Sequence, residues 1–196
     1  MAAGAARTAT LDMRLDPGEL FAPLLAPERP IVFVDVPARD EPPGKVSALQ
    51  AGIVCRTVLA LRAAGVPAAR IGVIAPYRAQ VAAIRQRLAA RGETYVIVDT
   101  VDRFQGGERE VIVYSFGGRA PESAFARGRD FLADPHRLNV AITRAQRKLI
   151  LIGDRAWLRH TPLLARLIDH CAGLYGGRGG SVTARLGDGE PSSVRR

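Results

Sequence analysis

Apolar positions along the chain follow two alternating patterns, short unbroken runs and longer stretches in which they recur every three or four residues. Ile31-Val32-Phe33-Val34 is the first short run, of the kind a strand shows when both faces are buried. A proline-rich loop, 37–44, follows it. Val46, Leu49, Ile53, Val54, Val58 and Leu61 then recur at helical spacing until Gly65 and Pro67 stop the helix. Residues 71–75 read as the next strand, and Pro76 opens the following helix, where its missing N–H costs nothing. Val81, Ile84 and Leu88 give that helix a buried stripe, and Arg85, Arg87 and Arg91 a wet face. Runs at 95–98, 111–114 and 149–152 supply further strands, and 156–171 a last helix. This alternation predicts an α/β fold with a doubly wound, mainly parallel sheet.

The ends depart from the pattern. Residues 1–30 read as a partly ordered N-terminal extension and 31–172 as the packed domain. Residues 173–196 are glycine-rich and polar, which predicts a disordered tail. The glycine- and arginine-rich stretch 117–129 predicts a mobile loop. Cys55 and Cys171 stand alone, and His136, His160 and His170 show no ligand spacing, so reduced thiols and no metal site are expected. No run approaches the roughly 18 apolar residues of a membrane span. With no signal-like start either, a cytoplasmic protein without a membrane partner is expected. The net charge is +9, carried almost wholly by arginine because Lys45 and Lys148 are the only lysines. That balance permits polyanion binding, and it equally fits an arginine-, alanine- and glycine-rich composition.

Two segments carry candidate chemistry. The run from Arg137 to Ala145 places Leu138, Ala141 and Ile142 at helical spacing and leads into the apolar strand 149–152. Arg137 and Arg144 can then both face away from the core. A guanidinium stays charged and presents a planar fork of donors that matches a phosphate, although a solvated helix face explains the same pattern. The second segment, Thr100-Val101-Asp102-Arg103-Phe104-Gln105-Gly106-Gly107-Glu108, lies between two apolar runs. Its adjacent glycines let backbone approach a ligand closely, and Gln105 and Glu108 offer an amide and a carboxylate to sugar hydroxyls or a metal-bound water. For Asp102 and Phe104, turn capping and core packing are equally good readings.

Pro76-Tyr77-Arg78-Ala79-Gln80, then Thr100-Val101-Asp102 with Phe104-Gln105-Gly106 and Glu108, then Arg137-Leu138-Asn139-Val140-Ala141 with Thr143-Arg144-Ala145, resemble motifs IV, V and VI of superfamily 1 helicases. The branch is that of the nonsense-mediated-decay helicase and the replication helicase-nuclease. The resemblance runs over residues 31–169 and implies the second of two RecA-like domains, with a P-loop NTPase fold. The sequence holds no Gly-x-x-x-x-Gly-Lys-Ser/Thr loop and no strand ending in paired acids, so by itself this chain is expected not to hydrolyse ATP.

In that family ATP with Mg2+ lies in the cleft between the domains. The phosphate loop and magnesium ligands would come from a missing N-terminal helicase domain, in cis or in trans. The resemblance casts Arg144 as an arginine finger on the γ-phosphate and Arg78 as a second phosphate contact, with Tyr77 stacking or packing at the cleft. Gln105, Gly106 and Glu108 become nucleotide-side residues, while Arg137, Asn139 and Thr143 support motif VI. Thr100 and Asp102 fall to the backbone of single-stranded DNA or RNA, or to signalling across the cleft. Arg78, Gln105 and Arg144 are expected to gather along one edge of the sheet.

Two functions follow. One is the C-terminal half of an ATP-dependent DNA or RNA helicase or translocase, and the other a catalytically inactive, helicase-derived nucleic-acid-binding module. Two departures from the family pattern imply lost contacts. Ser47, Gln50 and Gly52 stand where many relatives carry an asparagine and a glutamate-alanine pair. Ser115-Phe116-Gly117-Gly118 replaces a cysteine-valine-arginine region.

Overall fold

Each short apolar run becomes a strand, and the strands join one sheet. They are β1 (Ala9–Asp12), β2 (Ile31–Asp35), β3 (Ile71–Ala75), β4 (Ile97–Thr100), β5 (Arg109–Ser115), β6 (Ala145–Gly153) and β7 (Ser181–Arg185). Their order is β1-β7-β2-β6-β5-β3-β4, and every pairing is parallel. The helices are α1 (Ala48–Ala63), α2 (Arg78–Ala89), α3 (Pro135–Thr143), α4 (Arg155–Leu158) and α5 (Pro162–Gly173). The computed structural model describes residues 9–12, 24–37, 40–104, 107–119, 132, 134–173 and 181–185. Among them no helix is long and apolar enough to cross a membrane.

Successive strand residues point to opposite faces, so each central strand feeds two cores. Val32, Val34, Val73, Val113 and Ile150 pack with α1 and α2 on one face. Phe33, Ile74, Ile112, Leu149 and Leu151 pack with α3, α4 and α5 on the other. The five consecutive strands β2-β6-β5-β3-β4, with β4 at the edge, form the parallel sheet that the alternation predicts.

Boundaries differ where tertiary context decides. β4 starts two residues later than the run 95–98, leaving Tyr95 84% and Ile97 43% exposed beside an edge strand. β6 begins four residues before its apolar run, because β5 pairs with it from Arg109↔Ala145 onward. Pro76 lies outside α2: Tyr77, at φ −112 and ψ 131, is the residue that caps it. The expected helix 156–171 is two helices. Asp154 caps α4 by accepting from the Trp157 N–H, and Pro162 restarts the helix as α5. β7 falls inside the stretch expected to be a disordered tail, and β1 inside the N-terminal extension; parallel backbone pairing with each other, and of β7 with β2, orders both.

The connection from β4 to β5 positions the Thr100–Glu108 segment. β4 ends level with the end of β3, whereas β5 starts beyond the beginning of β3. The chain must therefore return the length of the sheet between them. Phe104 lies over β3 during that return: a Cβ on Gly72 would sit 2.5 Å from its ring and 2.8 Å from Ile112. Gly72→Ala is expected to force Phe104 off the sheet and destabilise the domain by about 1–3 kcal/mol, measured by urea unfolding.

Lys148 anchors the entry to β2. Its ammonium donates to the Ala26 and Arg29 carbonyls, each at 2.8 Å, and burial lowers its pKa from 10.5 to about 8. Between those values the unfolded chain binds a proton that the folded chain has released, so stability is expected to rise with pH across this window. Thermal unfolding followed between pH 8 and 10 measures that slope, and Lys148→Met is expected to flatten it.

Candidate nucleotide and nucleic-acid site

α3 runs antiparallel to the strands, so its two ends lie at opposite edges of the sheet. At the edge where strands end, the Arg137 guanidinium pairs with Asp102 at 3.3 Å and with the α3 cap Asp134 at 3.7 Å. This joins the segment after β4 to the start of the arginine helix. Tyr114 lies close enough to Arg137 and Tyr77 to feel both, and burial pushes its hydroxyl well above the usual range. At the opposite edge Arg144 caps the end of α3, and its carbonyl accepts from the Arg109 N–H at 3.0 Å. Gln146 donates to the Glu108 carboxylate at 3.1 Å, and the Arg109 guanidinium stands 5.9 Å from the centre of the Phe104 ring.

The expectation that Arg78, Gln105 and Arg144 gather along one edge is corrected by this arrangement. Arg78 opens α2 just past the end of β3, whereas Arg144 precedes the first residue of β6. Arg144 lies eight residues before Ile152, which pairs with Ser115 at the level where β3 ends. Along the strands that is on the order of 25 Å. A ligand touching both arginines would run the length of α3, roughly 13 Å, and reach beyond it. Arg137 and Arg144 mark the two ends of α3, whereas Arg78 opens α2, which packs on the other face of the sheet. Gln105 and Gly106 lie outside the described residues.

Individual side chains divide by what already holds them. Thr100 is 7% exposed, and its carbonyl accepts from the Arg103 and Phe104 N–H groups, so it terminates β4. Asp102 is exposed but committed to Arg137. Thr143 turns its hydroxyl back onto the Asn139 and Val140 carbonyls, closing the last turn of α3. Asn139 faces a groove of about 530 Å³ between α3 and α5, lined also by His136, Leu163 and His170. The Tyr77 ring packs beside Gly117 with the Lys45 ammonium 5.8 Å from its centre, and burial raises its pKa. Tyr77 therefore packs at the edge.

The Arg144 guanidinium has a different status. Its Nε, like that of the neighbouring Arg109, is shut off from solvent and has no hydrogen-bond partner among the described residues. A shielded cationic donor without an acceptor fits an anionic ligand. Magnesium has less to hold it here: Glu108 is a single exposed carboxylate already accepting from Gln146.

A buried polar network, which sequence patterning does not reveal, fixes the edge beside Tyr77. Gln80, within the first motif, accepts from the Ser47 N–H at 2.9 Å and donates to the Ser115 hydroxyl at 3.1 Å. Gln50 accepts from that hydroxyl and from the Gly117 N–H, each at 3.0 Å, and donates to the Gly117 carbonyl at 2.7 Å. Gly117 has φ +79, and a Cβ on Gly118 would sit 2.4 Å from the Val46 carbonyl oxygen. The start of the stretch expected to be a mobile loop is thus clamped, while 120–131 lies outside the described residues.

Comparison with known proteins agrees with the motifs. A family described as an AAA domain matches residues 8–156. The chain is 36% identical over 155 residues to the mouse (Mus musculus) DNA replication ATP-dependent helicase/nuclease DNA2, covering 76% of this chain and 14% of that protein. Against the Arabidopsis thaliana helicase/nuclease JHS1 it is 34% identical over 152 residues, covering 74% and 11%. It is 41% identical over 110 residues to the mouse 3'-5' exoribonuclease HELZ2, covering 52% and 4%. The chain therefore spans a small fraction of each relative. Among solved structures, the C-terminal domain of a possible DNA helicase from Lactobacillus plantarum matches with a TM-score of 0.48 at 17% identity, covering 80% of this chain and 84% of that one.

Proposed function

Since the chain belongs to this AAA-domain family and is the C-terminal domain of a superfamily 1 helicase, we propose that it forms one wall of an interdomain ATP site and supplies the arginine finger from Arg144. The observation that carries this reading is the shielded Arg144 Nε without a partner, held at a backbone-fixed helix end. Arg144 would hold the terminal phosphate, and Glu108 beside it a sugar hydroxyl or a metal-bound water. Bound ATP with Mg2+ would supply the phosphoryl group and the charge neutralisation that magnesium brings. Phosphoryl transfer needs little covalent chemistry from protein, so a positioned guanidinium is the main contribution available from this side.

The edge where the strands end supports a second role. Arg78 is exposed and makes no hydrogen bond or ion pair among the described residues. It sits on the same edge as the Asp102–Arg137 pair. We assign this edge to the backbone of single-stranded DNA or RNA, with α3 linking it to Arg144. Asp102 would then act through Arg137, since a carboxylate repels phosphate. This replaces the reading of Arg78 as a partner of Arg144 on one phosphate.

The test pairs the chain, in cis or in trans, with a first domain carrying the phosphate loop and magnesium-holding acids. Single-strand binding is titrated across salt with and without ATP. Nucleotide-dependent affinity together with strand-stimulated hydrolysis supports the helicase reading. Salt-sensitive binding indifferent to ATP, with no hydrolysis in the pair, would favour an inactive binding module instead. Arg78→Ala is expected to weaken strand affinity and lower its salt dependence by about one phosphate contact.

A further inference from the structure

The sheet face opposite α3 is covered by α1 and α2, and their outer surface is incompletely closed. A groove of about 400 Å³ runs along α1 to the end of α2. Its apolar floor is Leu49, Ile53 and Leu59 of α1. Arg87 and Arg91 rim it from α2 and the turn after it, with Arg56 at the side of α1. Arg87 and Arg91 are exposed, and their guanidinium groups hold no ion pair among the described residues. The nearby Glu93 carboxylate is taken by Arg62 at 3.1 Å. The Cys55 thiol in the groove, raised by burial, feels Arg91, Arg87 and Arg56 as opposing charges, which places three cations around one apolar floor.

Gly52 is the second observation. It lies inside α1, where glycine is less favourable than alanine. No contact within the protein requires it: a Cβ there would meet nothing within 4 Å. The missing side chain lowers the floor midway along the groove.

We propose that this groove binds an acidic amphipathic helix of a partner protein, which seats leucine-class side chains over Gly52 and turns carboxylates toward Arg87 and Arg91. An aliphatic floor with a cationic rim is the complement of such a helix. Single-stranded nucleic acid is the poorer occupant, because its bases stack on aromatic side chains and none lines the groove. The groove lies on the opposite face of the sheet from α3 and Arg144, so it stands apart from the ATP-site reading.

The probe is a synthetic Leu/Glu helix with leucines at i, i+3, i+4 and i+7, titrated into the isotope-labelled chain and followed by amide shifts. Shifts are expected to centre on α1 and the end of α2, with affinity falling as salt rises. Gly52→Leu fills the groove from open space and favours the helix, so the free protein is expected to unfold no earlier. It is nevertheless expected to weaken the peptide at least about tenfold, as is the double change Arg87→Glu with Arg91→Glu. The proposal is overturned by any of four results. The Leu/Glu peptide leaves these amides unmoved at millimolar concentration, a Leu/Lys version binds as well, Gly52→Leu changes nothing, or an oligothymidine strand perturbs the groove more strongly than the peptide.

Discussion

Arg144→Ala is expected to lower strand-stimulated ATP hydrolysis by on the order of a thousandfold, once the chain is paired with a domain carrying the phosphate loop. Fold and stability are expected to survive. The Arg144 contact that organises the α3–β6 junction is made by its carbonyl, which accepts from the Arg109 N–H and is indifferent to the side chain. Deleting a guanidinium whose Nε has no partner removes no internal hydrogen bond there, so urea unfolding is expected to change by less than about 1 kcal/mol. Arg144→Lys separates charge from geometry. It keeps the cation and loses the planar fork, so most of the deficit is expected to persist. Single-turnover hydrolysis with saturating nucleotide measures the chemical step apart from binding. Equal rates for the alanine variant and the unmodified pair would end the assignment of Arg144 as the finger.

Much of this was legible in the residues themselves. The strands β2, β3, β5 and β6 follow from short apolar runs, and β4 overlaps one. The family follows from three motifs in order, and the AAA-domain match and the DNA2 relatives bear that out. The distribution of the motifs between two edges was not legible. It depends on α3 being a crossover helix that reverses the direction of the chain, so residues seven apart, Arg137 and Arg144, lie near opposite ends of the strands. Spacing places residues on a helix face but leaves open which sheet edge each helix end meets. The return of Phe104 over Gly72 was hidden for a related reason: the eight-residue connection 101–108 resembles an ordinary loop until the register of β4 and β5 is known.

The departures from the family pattern are linked to each other in a way that single residues do not announce. Read singly, Ser47 with Gln50 and Ser115 with Gly117 look like two lost contacts. In the structure they bond to each other across 65 and 67 residues of chain, and Gln80 of the first motif joins them. Partner choice between distant polar residues leaves no periodic trace. Each polar group here meets its counterpart, so the network is closed and the edge that presents Tyr77 and Arg78 is rigid.

Gln50→Leu tests that closure and carries the largest stability effect expected in the domain. Leucine keeps the volume but removes an acceptor for the Gly117 N–H and the Ser115 hydroxyl and a donor for the Gly117 carbonyl, all in buried surroundings. An unsatisfied buried group costs about 1–3 kcal/mol, and Ser115 retains its bond from Gln80, so a loss of roughly 3–6 kcal/mol is expected. Against a typical stability of about 5–15 kcal/mol this brings the domain near its unfolding threshold at room temperature. Ser115→Ala is expected to cost about 1–2 kcal/mol, and the double variant less than the sum, because both changes break one shared bond. Urea midpoints for the four proteins of this cycle measure the coupling. Strict additivity, or a Gln50→Leu midpoint equal to that of the unmodified chain, would mean that Gly117 and Gly118 are held in place by backbone packing alone.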